Sequence, residues 1–239
     1  MKNLITSTTI LPARREEITF RTTDGLRLVG EIASPEAESR ASAIFFHPLP
    51  TAGGFMDSHL IRKASWRLPA LANISVLRFN FRGVSSPRGV SEGVFGEGVE
   101  ERFDLEAVLD EAERRGLKNL WLIGWSFGTE VILKHATSHI DRFRGAILLS
   151  PPLHRTSPKE LERWKQVPNE VTAFIPELDD FLPPQAAREA FSTVAHFELI
   201  EAKNSKHLWV GEKQTSFILN EITKRLNPAA YPLPEVWPS

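Results

Sequence analysis

The sequence of 239 residues contains no cysteine. Disulfides, thiolate metal sites and cysteine nucleophiles are therefore excluded, and the composition suits a reducing compartment. Neither sign of charge is in excess, since 29 lysine and arginine residues face 30 aspartate and glutamate residues. The resulting net charge of −1 provides no broad attraction to nucleic acid or to anionic lipid. We therefore expect neither a nucleic-acid partner nor a membrane partner.

Long hydrophobic runs are also missing. No apolar stretch approaches the roughly 18 residues needed to cross a bilayer. The first residues, MKNLITSTTILPARREE, lack the sustained apolar segment of a signal peptide. These two absences predict a cytoplasmic protein. A hydrophobic content of 41% in a chain of this length is enough for a substantial core.

Short apolar strands alternate with amphipathic helices along the chain. Residues 17–32 predict a hairpin that turns at Asp24-Gly25. Further strands are predicted from the apolar runs at 43–47, 76–81, 119–123, 145–149, 171–175 and 195–200. Helices are predicted at about 60–72, 99–115, 127–138, 184–191 and 213–226. This order indicates an α/β protein with a mostly parallel sheet covered by helices on both faces, after an antiparallel start. Since no linker, repeat or compositional shift divides the chain, we predict one domain over residues 1–239.

One serine lies between two glycines where a predicted strand meets a predicted helix, in LWLIGWSFGTEVIL at 120–133. A sharp turn from strand to helix crowds its neighbours, which explains Gly124 and Gly128. The turn holds the Ser126 hydroxyl at the carboxyl edge of the sheet, above a helix whose dipole favours negative charge. The pattern G-x-S-x-G is weak alone, and its position makes it specific. The alternative is a tight turn whose serine merely caps the helix.

A serine nucleophile needs a base, and that base needs an orienting acid. Of the seven histidines, His207 follows the last predicted strand in the loop AKNSKHLWVG. That loop should emerge at the same sheet edge as Ser126. The loop after the strand at 171–175 reads PELDDFLPP and offers the adjacent carboxylates of Asp179 and Asp180. The order along the chain is then serine, aspartate, histidine.

Taken together, strand–GWSFG–helix, DDFLPP and SKHLWVG resemble the α/β-hydrolase superfamily over about residues 17 to 226. HPLPTAGGFMDS followed by LRFNFRGVSSPRG is similar to a branch of small bacterial esterase-like hydrolases. The resemblance implies an α/β-hydrolase fold with about eight strands. It also implies Ser126 as nucleophile, His207 as base and Asp179 as acid, with Asp180 as the alternative acid.

The resemblance further implies an oxyanion hole. One donor would be the backbone N–H of Phe127, just after the nucleophile, and the other would come from the loop after 43–47. Because proline has no N–H, Pro48 and Pro50 are excluded and Leu49 is the candidate. His47 is expected to shape this loop and not to act as a second base.

The expected activity is hydrolysis of a carboxylic ester, or a related acyl bond, of a small soluble substrate through an acyl-serine intermediate, with no cofactor or metal. The same groups would serve a thioesterase, an amidase or peptidase, or an acyltransferase. A non-enzymatic binding protein on this fold is the remaining alternative. Cap domains of the superfamily commonly follow the strand that here ends near Ser150. Residues 151–170 have room for only one short helix around 158–166, so we predict a minimal cap.

Two weaker patterns lie outside these segments. Asp57 and His59 would form half of a metal site, but no further cluster of ligands accompanies them. Arg82 would suit an anionic substrate, although an arginine that holds a turn is the commoner case. Neither pattern changes the predicted function.

Overall fold

The computed structural model describes residues 2–238 and contains a central sheet of eight strands. In chain order these are β1 (Arg14–Arg21), β2 (Arg27–Ser34), β3 (Ala41–Phe46), β4 (Ile74–Phe79), β5 (Leu120–Trp125), β6 (Gly145–Leu149), β7 (Glu170–Leu178) and β8 (Glu198–Lys206). Across the sheet the order is β8-β7-β6-β5-β3-β4-β2-β1. β2 is antiparallel to both β1 and β4, and the other neighbouring strands are parallel. The predicted sheet and its antiparallel start are confirmed.

Helices cover both faces of this sheet. They are α1 (His59–Ala72), α2 (Glu101–Arg114), α3 (Phe127–His135), α4 (Pro158–Arg163), α5 (Pro184–Ala190) and α6 (Glu212–Leu226). The apolar faces of α2 and α3 belong to one core layer, and those of α1 and α6 belong to the other. The central strands β3, β5 and β6 are buried at every residue, which is why their sequences are continuous apolar runs and do not alternate.

The predicted bounds of the last strand are wrong. Residues 195–200 were expected, but β8 begins at Glu198, and His196 lies in the preceding turn. The strand also continues through the polar residues of NSK, because pairing with β7 extends to Leu178 opposite Lys206. His207 is therefore the first residue after the strand and does not lie several residues further along a loop.

Other boundaries differ by less. α3 ends at His135, before the predicted end at residue 138. A 3-10 helix then follows over Ala136–Arg142. The glycine-rich segment at 83–98 contains a two-residue hairpin in which Ser85–Ser86 pairs with Gly89–Val90. The C-terminal tail packs back onto the molecule, where Val236–Pro238 pairs with Lys2–Leu4.

The segment at 151–170 contains α4 and one 3-10 turn, Trp164–Gln166. A capping box of Ser157 and Glu160 starts α4. Trp164 is fully buried, and its indole N–H donates to the Leu133 carbonyl at 2.8 Å, which anchors the segment against α3. Among residues 2–238, no helix is long and apolar enough to span a membrane.

Candidate active site

Ser126 lies at the sharp turn between β5 and α3. Its φ of 52° and ψ of −118° fall in a region that residues other than glycine rarely adopt. A Cβ on Gly128 would lie 2.1 Å from the Phe46 carbonyl oxygen, and one on Gly124 would lie 2.7 Å from the Gly128 backbone. The crowding predicted for this turn is therefore present. The Ser126 amide donates to the Leu149 carbonyl at 2.9 Å, which fixes the turn against β6.

The ends of β5, β7 and β8 bring three of the predicted side chains together. His207 Nε2 lies 2.8 Å from Ser126 Oγ, and His207 Nδ1 lies 2.9 Å from Asp179 Oδ2. A carboxylate only accepts hydrogen bonds, so Nδ1 carries the proton and Nε2 is free to accept the serine hydroxyl. Asp179 and His207 are buried. The structure thus forms a continuous chain of hydrogen bonds from Asp179 through His207 to Ser126.

The two adjacent aspartates have different surroundings. Asp179 Oδ1 accepts the backbone N–H groups of Phe181 at 2.8 Å and Leu182 at 3.3 Å, so the loop itself orients the carboxylate. Asp180 is exposed and lies at the rim of the adjoining cavity. His207 Nδ1 donates its hydrogen bond to Asp179.

Phe127 and Leu49, the predicted oxyanion donors, both line the cavity that contains Ser126. Phe127 is the first residue of α3, so its N–H has no acceptor within the helix. Leu49 follows β3, and its carbonyl accepts from Ala52 and Gly54, each at 3.0 Å. These bonds hold the loop in a tight turn.

His47 determines how the Pro48–Leu49 peptide is oriented. Its Nε2 accepts the Phe81 N–H at 3.1 Å, so the proton is on Nδ1, which donates to the Pro48 carbonyl at 2.7 Å. The carbonyl and the N–H of a trans peptide point in opposite directions, and the Leu49 N–H is therefore directed away from His47. A Cβ on Gly54 would lie 2.2 Å from the Pro48 oxygen, so glycine is required beside this carbonyl.

His47 itself remains neutral at ordinary pH. It is fully buried, and this burial lowers its pKa to about 4, although the hydrogen bond to Pro48 opposes the shift. Both of its ring nitrogens are occupied by backbone groups. The structure thus places His47 as a loop-shaping residue, which agrees with the expectation from sequence.

The cavity beside Ser126 has a volume of about 370 Å³. Most of its wall is apolar and is formed by Pro48, Leu49, Ala52, Phe127, Pro152, Phe181 and Leu208. The ring of Phe181 packs edge-on against His207 with centroids 4.5 Å apart. Apolar contact around His207 limits the access of water to the hydrogen-bonded chain.

One part of the cavity wall is charged, which sequence reasoning missed. Glu130, one helical turn after Ser126, is fully buried and accepts the backbone N–H of Arg155. Burial raises the pKa of Glu130. The Arg155 guanidinium donates to Glu97 at 2.8 Å and so links the glycine-rich segment at 83–98 to the segment at 151–170. An acidic residue within the apolar helix TEVIL was the available clue in the sequence.

The residues of the two weaker patterns have structural partners. Arg82 is buried and binds Asp104 at 2.8 Å and Asp24 at 3.0 Å, so it holds a turn. Asp57 pairs with Arg78 and Arg88, and His59 Nε2 lies 2.8 Å from the Leu208 carbonyl. Neither the Asp57–His59 pattern nor Arg82 supplies a free ligand to the cavity.

No protein-family model matches the sequence. The structure is similar to XC6422 from Xanthomonas campestris, described as an α/β serine hydrolase without a lid, with 26% identity and a TM-score of 0.73 over 95% of this chain and 100% of that one. This chain has the α/β-hydrolase fold.

Other solved structures with this fold resemble the chain more distantly in sequence. An α/β serine hydrolase homologue from Coxiella burnetii is 23% identical with a TM-score of 0.74, covering 88% of this chain and 97% of that one. The esterase Pf2001 from Pyrococcus furiosus is 17% identical with a TM-score of 0.72, covering 90% of this chain and 93% of that one. At these identities the likeness concerns the fold.

A curated relative matches part of this chain. The uncharacterized protein RP471 of Rickettsia prowazekii (strain Madrid E) is 29% identical over 142 residues, or 58% of this chain. The match spans 56% of that relative's length.

Proposed function

We propose that the protein is a serine hydrolase that cleaves a carboxylic ester, or a related acyl bond, of a small substrate. The observation that carries the proposal is the chain of hydrogen bonds Ser126–His207–Asp179, at 2.8 and 2.9 Å, beside an apolar cavity. The descriptions of XC6422 as a serine hydrolase and of Pf2001 as an esterase support it.

The reaction begins with attack of Ser126 Oγ on the substrate carbonyl carbon while its proton passes to His207 Nε2. Asp179 stabilises the resulting imidazolium. The N–H groups of Phe127 and Leu49 bind the oxyanion, where loss of one donor typically costs about 3 kcal/mol of barrier. His207 then protonates the leaving alcohol, and the acyl-serine remains.

Water completes the cycle. It attacks the acyl-serine carbonyl as His207 takes one of its protons, and collapse of the second tetrahedral intermediate returns that proton to Ser126 Oγ and releases the acid. The same steps apply to a thioester or an amide, with a thiol or an amine as leaving group, and to acyl transfer when an alcohol replaces water.

Labelling with a fluorophosphonate tests the proposal. The wild type should be labelled once, at Ser126, and should hydrolyse p-nitrophenyl acetate or butyrate. Ser126→Ala should lose both properties and keep its fold, whereas Ser192→Ala, which alters an exposed serine, should keep both. A wild type that neither reacts nor turns over these esters, or an Ser126→Ala variant that is still labelled, would contradict the proposal.

A further inference from the structure

The main-chain carbonyl of His207 accepts two side-chain hydrogen bonds. Trp125 Nε1 donates to it at 3.2 Å and Ser150 Oγ donates to it at 3.0 Å. Both donors are almost completely buried, with Trp125 2% and Ser150 1% exposed. A third bond lies one residue further on, where His59 Nε2 meets the Leu208 carbonyl at 2.8 Å.

The two donors come from the centre of the sheet. Trp125 is the last residue of β5 and is covalently bonded to Ser126. Ser150 directly follows β6 and has a φ of 51°, which costs free energy for a residue other than glycine. Its amide still donates to the Phe174 carbonyl of β7 at 3.0 Å. The strained backbone therefore lies where the Ser150 hydroxyl reaches the His207 carbonyl.

His207, in contrast, follows an edge strand. Among residues 2–238, β8 pairs only with β7, and His207 lies just beyond its last residue. The ladder of the sheet therefore does not hold the main chain of the proposed base. The bonds from Trp125 and Ser150 connect it to the central strands, including the strand that carries the nucleophile.

From this arrangement, and on the basis of the proposed function, we infer that Trp125 and Ser150 are positioning residues for His207. Neither side chain contacts the reacting atoms. They hold the carbonyl of the base, so that its imidazole stays between Ser126 and Asp179. An error of about 1 Å in such a placement can cost about a hundredfold in rate.

Because the His207 carbonyl accepts both hydrogen bonds, we expect the activity losses of the two single variants to be non-additive. Removing one donor leaves the carbonyl with the other, whereas removing both leaves a buried backbone oxygen unpaired, which proteins rarely tolerate. The loop should then shift to satisfy that oxygen and carry His207 with it. The double variant should consequently lose more activity than the product of the single losses.

The experiment compares wild type, Ser150→Ala, Ser150→Gly, Trp125→Phe and the double variant Ser150→Ala/Trp125→Phe. Ser150→Gly removes the hydroxyl and relieves the strain of a positive φ, so it separates positioning from stability. Two variants serve as controls. Ser75→Ala removes a buried hydroxyl near the amino end of β4, and Trp121→Phe removes a buried indole near the amino end of β5. For each, kcat and KM for p-nitrophenyl butyrate, the rate of fluorophosphonate labelling and the urea unfolding midpoint are measured.

Each single variant should lower kcat and the labelling rate by about 3- to 10-fold at unchanged KM, and the double variant by more than the product of the two single losses, to a total above about 100-fold. The controls should stay within about twofold of wild type even where their stability falls. Ser150→Gly should lose activity while keeping its unfolding midpoint. Wild-type kcat in the double variant, or equal kcat losses in the controls, would overturn the positioning role. An inactive, unlabelled wild type would refute the proposed function instead.

Discussion

At the scale of single residues, neighbours in sequence differ sharply in their surroundings. Asp179 binds His207 and two loop amides, while Asp180 is exposed at the cavity rim. We expect Asp179→Asn to lower kcat by on the order of 10⁴-fold, because an amide does not hold the required tautomer or stabilise the imidazolium. Asp180→Asn should change kcat by less than about threefold. Steady-state kinetics with one soluble ester decides between them, and the reverse ranking would make Asp180 the acid.

The hydrogen bond from His47 to the Pro48 carbonyl orients the Pro48–Leu49 peptide. His47→Ala leaves the Pro48 carbonyl without its donor and frees the Pro48–Leu49 peptide to rotate. We expect kcat to fall by up to about 10²-fold at unchanged KM, since one oxyanion donor is then misplaced. His47→Asn retains a donor near the position of Nδ1 and should recover much of this loss. Equal kcat values in wild type and His47→Ala would show that the second donor is not Leu49.

The direction of the strands was enough to predict that the candidate catalytic residues lie at one edge of the sheet, but not which side chains touch. Ser126, Asp179 and His207 each follow a strand of a parallel sheet, and the carboxyl ends of such strands share one edge. Contacts between side chains depend on which strands are neighbours, and periodicity within a strand does not contain that information. Ser150 reaches His207 because β6 lies between β5 and β7. The role of His47 likewise depends on its meeting Phe81 from the adjacent strand's end.

At the scale of elements, the wrong bounds of β8 have a physical origin. An apolar run indicates where a strand is buried, whereas hydrogen bonding to a neighbour decides where it ends. In β8 the residues from 203 onward are mostly polar and exposed, yet the pairing with β7 continues to Lys206. The strand therefore extends beyond its hydrophobic part and places His207 directly at the sheet edge.

The segment at 151–170 between β6 and β7 is short. With one helix, α4, between β6 and β7, little apolar surface is added to the cavity of about 370 Å³. Each methylene left uncovered forgoes about 0.8 kcal/mol of binding. In a series of p-nitrophenyl esters, kcat/KM should peak at short or medium acyl length and show no jump at the substrate's solubility limit. A steady rise to long chains would reveal a lipid-binding groove.

At the scale of the whole molecule, buried arginines connect segments that are distant in the chain. Arg82, in the loop after β4, joins the β1–β2 turn through Asp24 and α2 through Asp104. Asp104 is fully buried, and burial raises its pKa to about 6 even though Arg82 donates to it. This carboxylate depends on the guanidinium to remain charged at neutral pH.

The contribution of Asp104 to the free energy of unfolding depends on pH. Because the folded-state pKa of Asp104, about 6, exceeds its ordinary value of 3.8, the native state holds a proton that the unfolded chain releases between these pH values. The contribution of Asp104 to stability therefore falls as pH rises from about 4 to 6. Loss of Arg82 would raise the pKa of Asp104 further and extend this fall toward neutral pH.

Arg82→Met should consequently lower the free energy of unfolding by about 3 to 5 kcal/mol at pH 7, since it leaves a buried carboxylate unpaired. The loss should be smaller at pH 5, where Asp104 accepts a proton. The double variant Arg82→Met/Asp104→Leu removes both charges and should regain most of the stability at pH 7. Urea unfolding at the two pH values measures all three proteins, with the dependence on urea concentration checked for a constant slope. If the double variant is as unstable as Arg82→Met at pH 7, the loss comes from broken packing between the hairpin and α2, and the unpaired charge is not its cause.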